Sequence, residues 1–152
     1  MSRVQLALNV SDLDSAVEFN SKLFATAPAK VRPGYANFAI AEPALKLVLI
    51  EGGGEPGTLN HLGIEVEDTD QVEAAQARLA TQGLATITED GVACCYAVQD
   101  KVWVGGPDGT PWEIYAVRAD AEMPAGELRG PSPSGADCCA ARPDLASQSA
   151  CC

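Results

Sequence analysis

The feature that most constrains how this chain can fold is an internal repeat. The stretch QLALNVSDLDSAVEFNSKLF, which begins at Gln5, aligns without a gap to HLGIEVEDTDQVEAAQARLA, which begins at His61. In each copy an alternating strand ends at Val10 or Val66. An aspartate, Asp12 or Asp68, then stands where its carboxylate can accept the orphan backbone N–H groups of a following helix. Apolar positions Leu13, Ala16, Val17, Phe19, Leu23 and Phe24 in the first copy, and Val72, Ala75 and Leu79 in the second, recur at helical spacing and are expected to cover one face of a sheet. Strand-like segments follow both helices, at residues 35–40 and 45–50 and then at 85–88, 93–98, 102–104 and 112–117. Turn residues separate them, including Arg32, Pro33 and Gly34, then Glu89, Asp90 and Gly91, and the glycines around Pro107. The unit reads βαβββ, twice. It predicts an α+β fold in which two βαβββ modules form a curved mixed sheet, with helices outside and a cleft inside.

Length and charge narrow the setting. At 152 residues and 47% hydrophobic content the chain can build one core. The expected domain covers residues 1–118, as modules at about 1–55 and 56–118. From Ala119 the composition turns to Ala, Pro, Gly, Ser and Asp with few large apolar residues, so 119–152 reads as a flexible tail. A formal net charge of -11 repels phosphate backbones and anionic lipid, which argues against nucleic acid or a membrane surface as partner. The opening MSRVQLALNV lacks the pattern of a secretory signal, and no segment reaches bilayer length. These readings predict a cytoplasmic protein with reduced thiols, acting on a small molecule.

All six cysteines fall in adjacent pairs: Cys94 with Cys95, Cys138 with Cys139, and Cys151 with Cys152. A disulfide framework would spread its half-cystines to link distant segments. Neighbouring thiols instead suit one soft atom that takes two sulfurs, such as a soft metal or trivalent arsenic. Cys94 and Cys95 fall at the start of a strand-like run, where successive side chains alternate faces. Both reach one ligand only if the strand is irregular there or the pair sits in a mobile loop; a vicinal disulfide and two packed small hydrophobes are the alternatives. The tail pairs Cys138, Cys139, Cys151 and Cys152 either gather a thiophilic ligand or are incidental to an appendage.

Strand alternation then groups candidate ligands. Leu6, Leu8 and Val10 face the helix, sending Gln5, Ala7 and Asn9 to the other face. In the second copy Leu62, Ile64 and Val66 are the core face, which puts His61, Gly63 and Glu65 opposite. In the last strand the apolar set Trp112, Ile114 and Ala116 sends Glu113 the same way. Each of these polar residues alone is ordinary, but Gln5 and His61 occupy matched repeat positions. With Glu113 they form a variant of the two-His-one-carboxylate triad, which suits Fe(II) and leaves positions open. The strand paired by pseudo-symmetry with that of Glu113 carries only Lys46 as a polar residue, so no fourth ligand is expected.

With these residues in view, the chain resembles the vicinal oxygen chelate superfamily of glyoxalases, fosfomycin-resistance proteins and extradiol dioxygenases, over roughly residues 3–118. Its segments VQLALNV, KVRPGYANFAIAEPALKLVLIE, ACCYAVQDKVWV and PWEIYAV are similar to those of carbon–arsenic lyases that demethylate trivalent methylarsenicals, and of cadmium-induced proteins. The resemblance implies Gln5, His61 and Glu113 as catalytic metal ligands for Fe(II), and Cys94 and Cys95 as the substrate-binding pair. It also implies a gating loop at about residues 100–106. The implied reaction takes a trivalent organoarsenical such as methylarsenite or a reduced aromatic arsenical, with dioxygen, to arsenite. Lys101 is a weak sequence hint of a group that lowers the thiol pKa. Two other classes compete: a cadmium-induced-type protein that binds soft metal without turnover, and a glyoxalase-like thiol-dependent metalloenzyme using Zn(II), Ni(II) or Mn(II). Two-module chains of this fold close a cleft alone or across a homodimer.

Overall fold

A computed structural model describes residues 2–94 and 96–121. Cys95, the tail beyond Ala121 and its four cysteines lie outside the described residues. The chain divides into two compact units, Arg3–Gly63 and the residues from Ile64 onward.

In the first unit, β1 (Arg3–Val10) leads into α1 (Leu13–Phe24), followed by β2 (Lys30–Arg32), β3 (Tyr35–Ile40) and β4 (Leu45–Glu51). The dense apolar run of β4 lies parallel to β1, with Gln5 opposite Lys46 and Leu8 opposite Leu49. β3 pairs antiparallel with β4 and β2 with β3, so the strands lie in the order β2-β3-β4-β1. The second copy of the repeat runs from β5 (Leu59–Val66), whose residues up to Gly63 belong to the first unit, through α2 (Thr69–Thr81), β6 (Thr86–Cys94), β7 (Ala97–Gly105) and β8 (Pro111–Asp120). Its order, β6-β7-β8-β5, repeats that of the first unit element for element. The twofold βαβββ reading and the α+β class therefore hold.

Both helices start where the aspartates require. Asp12 accepts the Ser15 N–H at 2.7 Å and Asp68 the Gln71 N–H at 2.9 Å, each from an extended backbone. The core faces are less symmetric than the repeat. Val72, Ala75 and Leu79 of α2 pack on Val102, Ile114 and Ala116 as expected. In α1 the buried stripe is Leu13, Ala16, Val17 and Phe24, on Phe38, Leu47 and Leu49. Phe19 and Leu23 are instead 64% and 60% exposed, although they align with Ala75 and Leu79. At 3.6 residues per turn Phe19 lies about 60° and Leu23 about 20° beyond the Ala16 edge of that stripe, so both fall on its outer margin.

Four local expectations change. A short β2, too polar to stand out, supplies the third strand of the first unit. Glu89, Asp90 and Gly91 do not end a strand: they form a bulge within β6, where the register to β7 shifts between Glu89 and Val92 and Gly91 takes a φ of 59°. Residues 100–105, expected in a gating loop, lie in β7 and pair with β8, and Asp100, Lys101 and Val102 are buried. β8 continues to Asp120, two residues past 118. Among the described residues no helix is long and apolar enough to cross a membrane.

Candidate functional site

In the first unit, alternation along β1 works as the sequence indicates. Leu6, Leu8 and Val10 pack toward α1, while Gln5, Ala7 and Asn9 are buried on the opposite face. Gln5 meets His61 of β5 there, with Gln5 Nε2 3.1 Å from His61 Nε2 and both side chains almost wholly buried. The other ring nitrogen, Nδ1, lies 2.7 Å from Asn60 Oδ1. Asn60 Nδ2 in turn donates to Asn9 Oδ1 at 2.9 Å and to the Gly53 carbonyl at 3.3 Å. Asn9 Nδ2 donates to Thr58 Oγ1 at 2.9 Å. Gly54 closes against this group: a Cβ there would lie 2.8 Å from Asn9 Nδ2, so glycine is needed for the approach.

The second unit carries charge where the first carries amides. Glu113 of β8 is buried and accepts from Lys101 Nζ at 3.0 Å, Lys101 being 1% exposed. The β7–β8 register sets Trp103 opposite Glu113 and Lys101 opposite Tyr115, so these four share a face. Lys101 Nζ lies 5.4 Å from the Trp103 ring centroid, a cation–π distance. Trp103 Nε1 donates to Glu89 at 3.2 Å, and the Tyr115 hydroxyl to Glu65 at 2.9 Å. The Lys101 ammonium is thus paired with Glu113 in a buried salt bridge.

On the opposite face of β7, Asp100 gathers three donors. Thr69 Oγ1 at the start of α2 lies 2.5 Å from Oδ2, while the Gly91 N–H in the β6 bulge at 2.7 Å and Arg118 at 3.4 Å reach Oδ1. Burial pushes the Asp100 pKa up, but the bonds from Thr69 and Gly91 and the Arg118 charge outweigh it and hold the carboxyl below its usual 3.8. Arg118 is also the extra residue where the β7–β8 register shifts between Val98 and Gln99. One carboxylate therefore pins irregularities in both strands beside β7.

That bulge stands just before Cys94, which closes β6 opposite Ala97. Tyr96, next after the cysteine pair, is buried with a φ of 61°, a left-handed conformation uncommon for an aromatic residue, and its carbonyl accepts from the Ala121 N–H at 2.9 Å. The described backbone on either side of Cys95 is thus irregular, with a bulge in β6 before Cys94 and a left-handed Tyr96 after it.

The structure thus brings Gln5 and His61 together, sets Glu113 in the second unit beside Lys101, and places Cys94 at a strand end. Among the described residues no three His, Cys, Asp or Glu side chains cluster as a metal site; a Gln-His-Glu set contains only two such residues. Sequence reasoning missed Asn60, Thr58 and the partnership of Lys101 with Glu113. Alternation sends Asn60 away from the face of His61, and only the adjacent polar pair Asn60-His61 at a strand start hinted at their contact.

Residues 3–114 match the Glyoxalase/Bleomycin resistance protein/Dioxygenase superfamily. The chain is 60% identical, over 91% of its length and 100% of the relative, to a protein of Thermomonospora curvata named "Trivalent organoarsenical cleaving enzyme". It is 62% identical, over 80% of each chain, to a "Cadmium-induced protein" of Mycobacterium bovis. Among solved structures, an Mn(II)-bound glyoxalase from Novosphingobium aromaticivorans aligns with a TM-score of 0.55 at 17% identity, covering 84% of this chain and 44% of that one. An extradiol ring-cleaving dioxygenase from B. fuscum aligns at 0.56 and 20%, covering 79% and 34%. With its doubled βαβββ unit and this match along most of its length, the chain belongs to the glyoxalase/bleomycin resistance protein/dioxygenase superfamily, the vicinal oxygen chelate proteins.

Proposed function

We propose that this protein cleaves the carbon–arsenic bond of trivalent organoarsenicals, methylarsenite or reduced aromatic arsenicals, to release arsenite, using Fe(II) and dioxygen. The observation that carries this reading is the 60% identity to the Thermomonospora curvata enzyme across its entire length. The donor chemistry of the first unit fits a divalent metal. A ligating imidazole needs a lone pair on one ring nitrogen and a fixed acceptor for the other, and His61 has Asn60 Oδ1 at Nδ1 and an amide at Nε2. Gln5, His61 and Glu113 would hold the ion, Gln5 turning its carbonyl oxygen toward it. Fe(II) bound there would supply the activation of dioxygen.

The remaining roles fall to the chain itself. The thiolates of Cys94 and Cys95 bind the soft arsenic centre, which hydroxyl or carboxylate groups would hold poorly. Lys101 orients the Glu113 carboxylate, and Trp103 and Tyr115 wall that face of β7 and β8. A second reading, sequestration of soft metal without turnover, draws on the 62% identity to the cadmium-induced relative.

The deciding experiment incubates the Fe(II)-loaded protein with methylarsenite in air and under nitrogen, and measures arsenite. Arsenite in air alone, lost in the Cys94→Ser, Cys95→Ser double variant and in His61→Ala, is the expected result. Tight arsenical binding with no arsenite in air would overturn the lyase reading in favour of sequestration.

A further inference from the structure

The hydrogen bonds around His61 run in one direction from a fixed starting point. The Glu55 carbonyl can only accept, and it takes the Thr58 hydroxyl hydrogen at 2.6 Å. Thr58 Oγ1 is then left as an acceptor toward Asn9, so Asn9 must present its NH2 there, at 2.9 Å. Asn9 Oδ1 consequently faces Asn60 and requires the Asn60 NH2, which the Gly53 carbonyl requires as well. Asn60 Oδ1 is left facing His61, and Nδ1 at 2.7 Å must carry the hydrogen. A neutral imidazole holds one N–H, so Nε2 keeps its lone pair toward Gln5.

We infer that Thr58, Asn9 and Asn60 are positioning residues that set the tautomer and ring orientation of His61, with the Glu55 carbonyl as their anchor and Gly54 as the wall that keeps Asn9 in place. They act through the imidazole. The value of the relay for a bound metal rests on the proposed function, whereas the tautomer does not. Every member before the ring is a neutral amide, hydroxyl or carbonyl, so the direction is built from fixed donors and acceptors alone. Gly54 is integral to this, because a methyl group at 2.8 Å from Asn9 Nδ2 would displace the amide that transmits the direction.

His61 is the only histidine of the chain, so the ring 15N resonances of metal-free protein, labelled at histidine and freed of any affinity tag, belong to one residue. Long-range 1H–15N spectra of the wild type are expected to show the Nδ1–H tautomer. Asn60→Leu removes the acceptor at similar volume and is expected to give a mixture with Nε2–H, whereas Asn60→Asp, which keeps an acceptor, retains Nδ1–H. Isothermal titration with Mn(II) or Co(II) is expected to show affinity about 10- to 100-fold weaker in Asn60→Leu, the usual loss when a ligand's supporting bond is removed. If Asn60→Leu does not fold, Gly54→Ala perturbs the same chain from outside and should shift the tautomer in the same sense. A wild-type Nε2–H tautomer, or an unchanged Nδ1–H tautomer in both Asn60→Leu and Gly54→Ala, would overturn the inference. A tautomer shift in a protein whose wild type binds neither ion would uphold the relay and sink the metal reading instead.

Discussion

At the repeat-related positions Asn9 and Glu65, the first strand of each unit carries an amide in one copy and a carboxylate in the other. Asn9 donates to Thr58 and accepts from Asn60, a neutral arrangement whose order comes from direction. Glu65 accepts from the Tyr115 hydroxyl, and the same unit adds the buried Lys101–Glu113 pair and, on the opposite face of β7, the Asp100 cluster. One βαβββ scaffold therefore supports two ways of holding a polar group out of water. A neutral relay avoids desolvating a charge, and its hydrogen bonds are not screened by salt. An ionic pair holds a carboxylate in its charged form, but at a desolvation cost that only its partner offsets. The first unit is suited to orienting a ring and the second to keeping an anion.

The strongest way to break that contrast is Lys101→Met. Removing one member of a buried ion pair costs about 3–5 kcal/mol, more than the about 1–3 kcal/mol of a lost neutral partner such as that in Asn60→Leu. Urea unfolding of the metal-free variants side by side measures both. A Lys101→Met loss below about 1 kcal/mol, the size of an exposed pair, would show that the second unit does not depend on charge as argued.

The helices offer a second contrast. Leu79→Ala should cost about 2–5 kcal/mol, because Leu79 is buried among Val72, Val102, Ile114 and Ala116. Its repeat mate Leu23, 60% exposed, should lose no more than about 0.5 kcal/mol as Leu23→Ala. Equal losses in thermal unfolding would mean that the two helices use the same face after all.

These cases also mark how far the sequence could be read. The repeat, the capping aspartates and the faces of β1, β5 and β8 follow from periodicity, because burial on one side of a sheet forces alternation. Gln99, Asp100 and Lys101 fall between the strand-like runs at 93–98 and 102–104 because three polar residues in succession interrupt the apolar pattern, and the resemblance puts residues 100–106 in a gating loop. They sit in a buried strand because Asp100 and Lys101 meet opposite charges from β8, a tertiary compensation that no local window contains. Phe19 and Leu23 misled for the converse reason: an apolar side chain at helical spacing need not be covered. Asn60 was hidden because its role depends on a strand start where adjacent residues touch the same ring.

Asp100→Asn tests the finest part of the contrast. The amide keeps the shape but turns an NH2 toward one of the Thr69, Gly91 and Arg118 donors, and the loss at neutral pH should be about 1–3 kcal/mol. The sign of the pH dependence follows from the lowered pKa. A carboxyl held below its ordinary 3.8 contributes stability that is complete above that value and disappears as pH falls through the folded-state pKa. The stability gap between wild type and Asp100→Asn should therefore stay constant from neutral pH to about 5 and close below 3.8, since every other carboxylate titrates in both proteins. Urea midpoints collected across that range would show it. A gap that persists undiminished into strong acid would mean that Asp100 holds the two bulges by shape alone, and that charge in the second unit is confined to the face carrying Lys101 and Glu113.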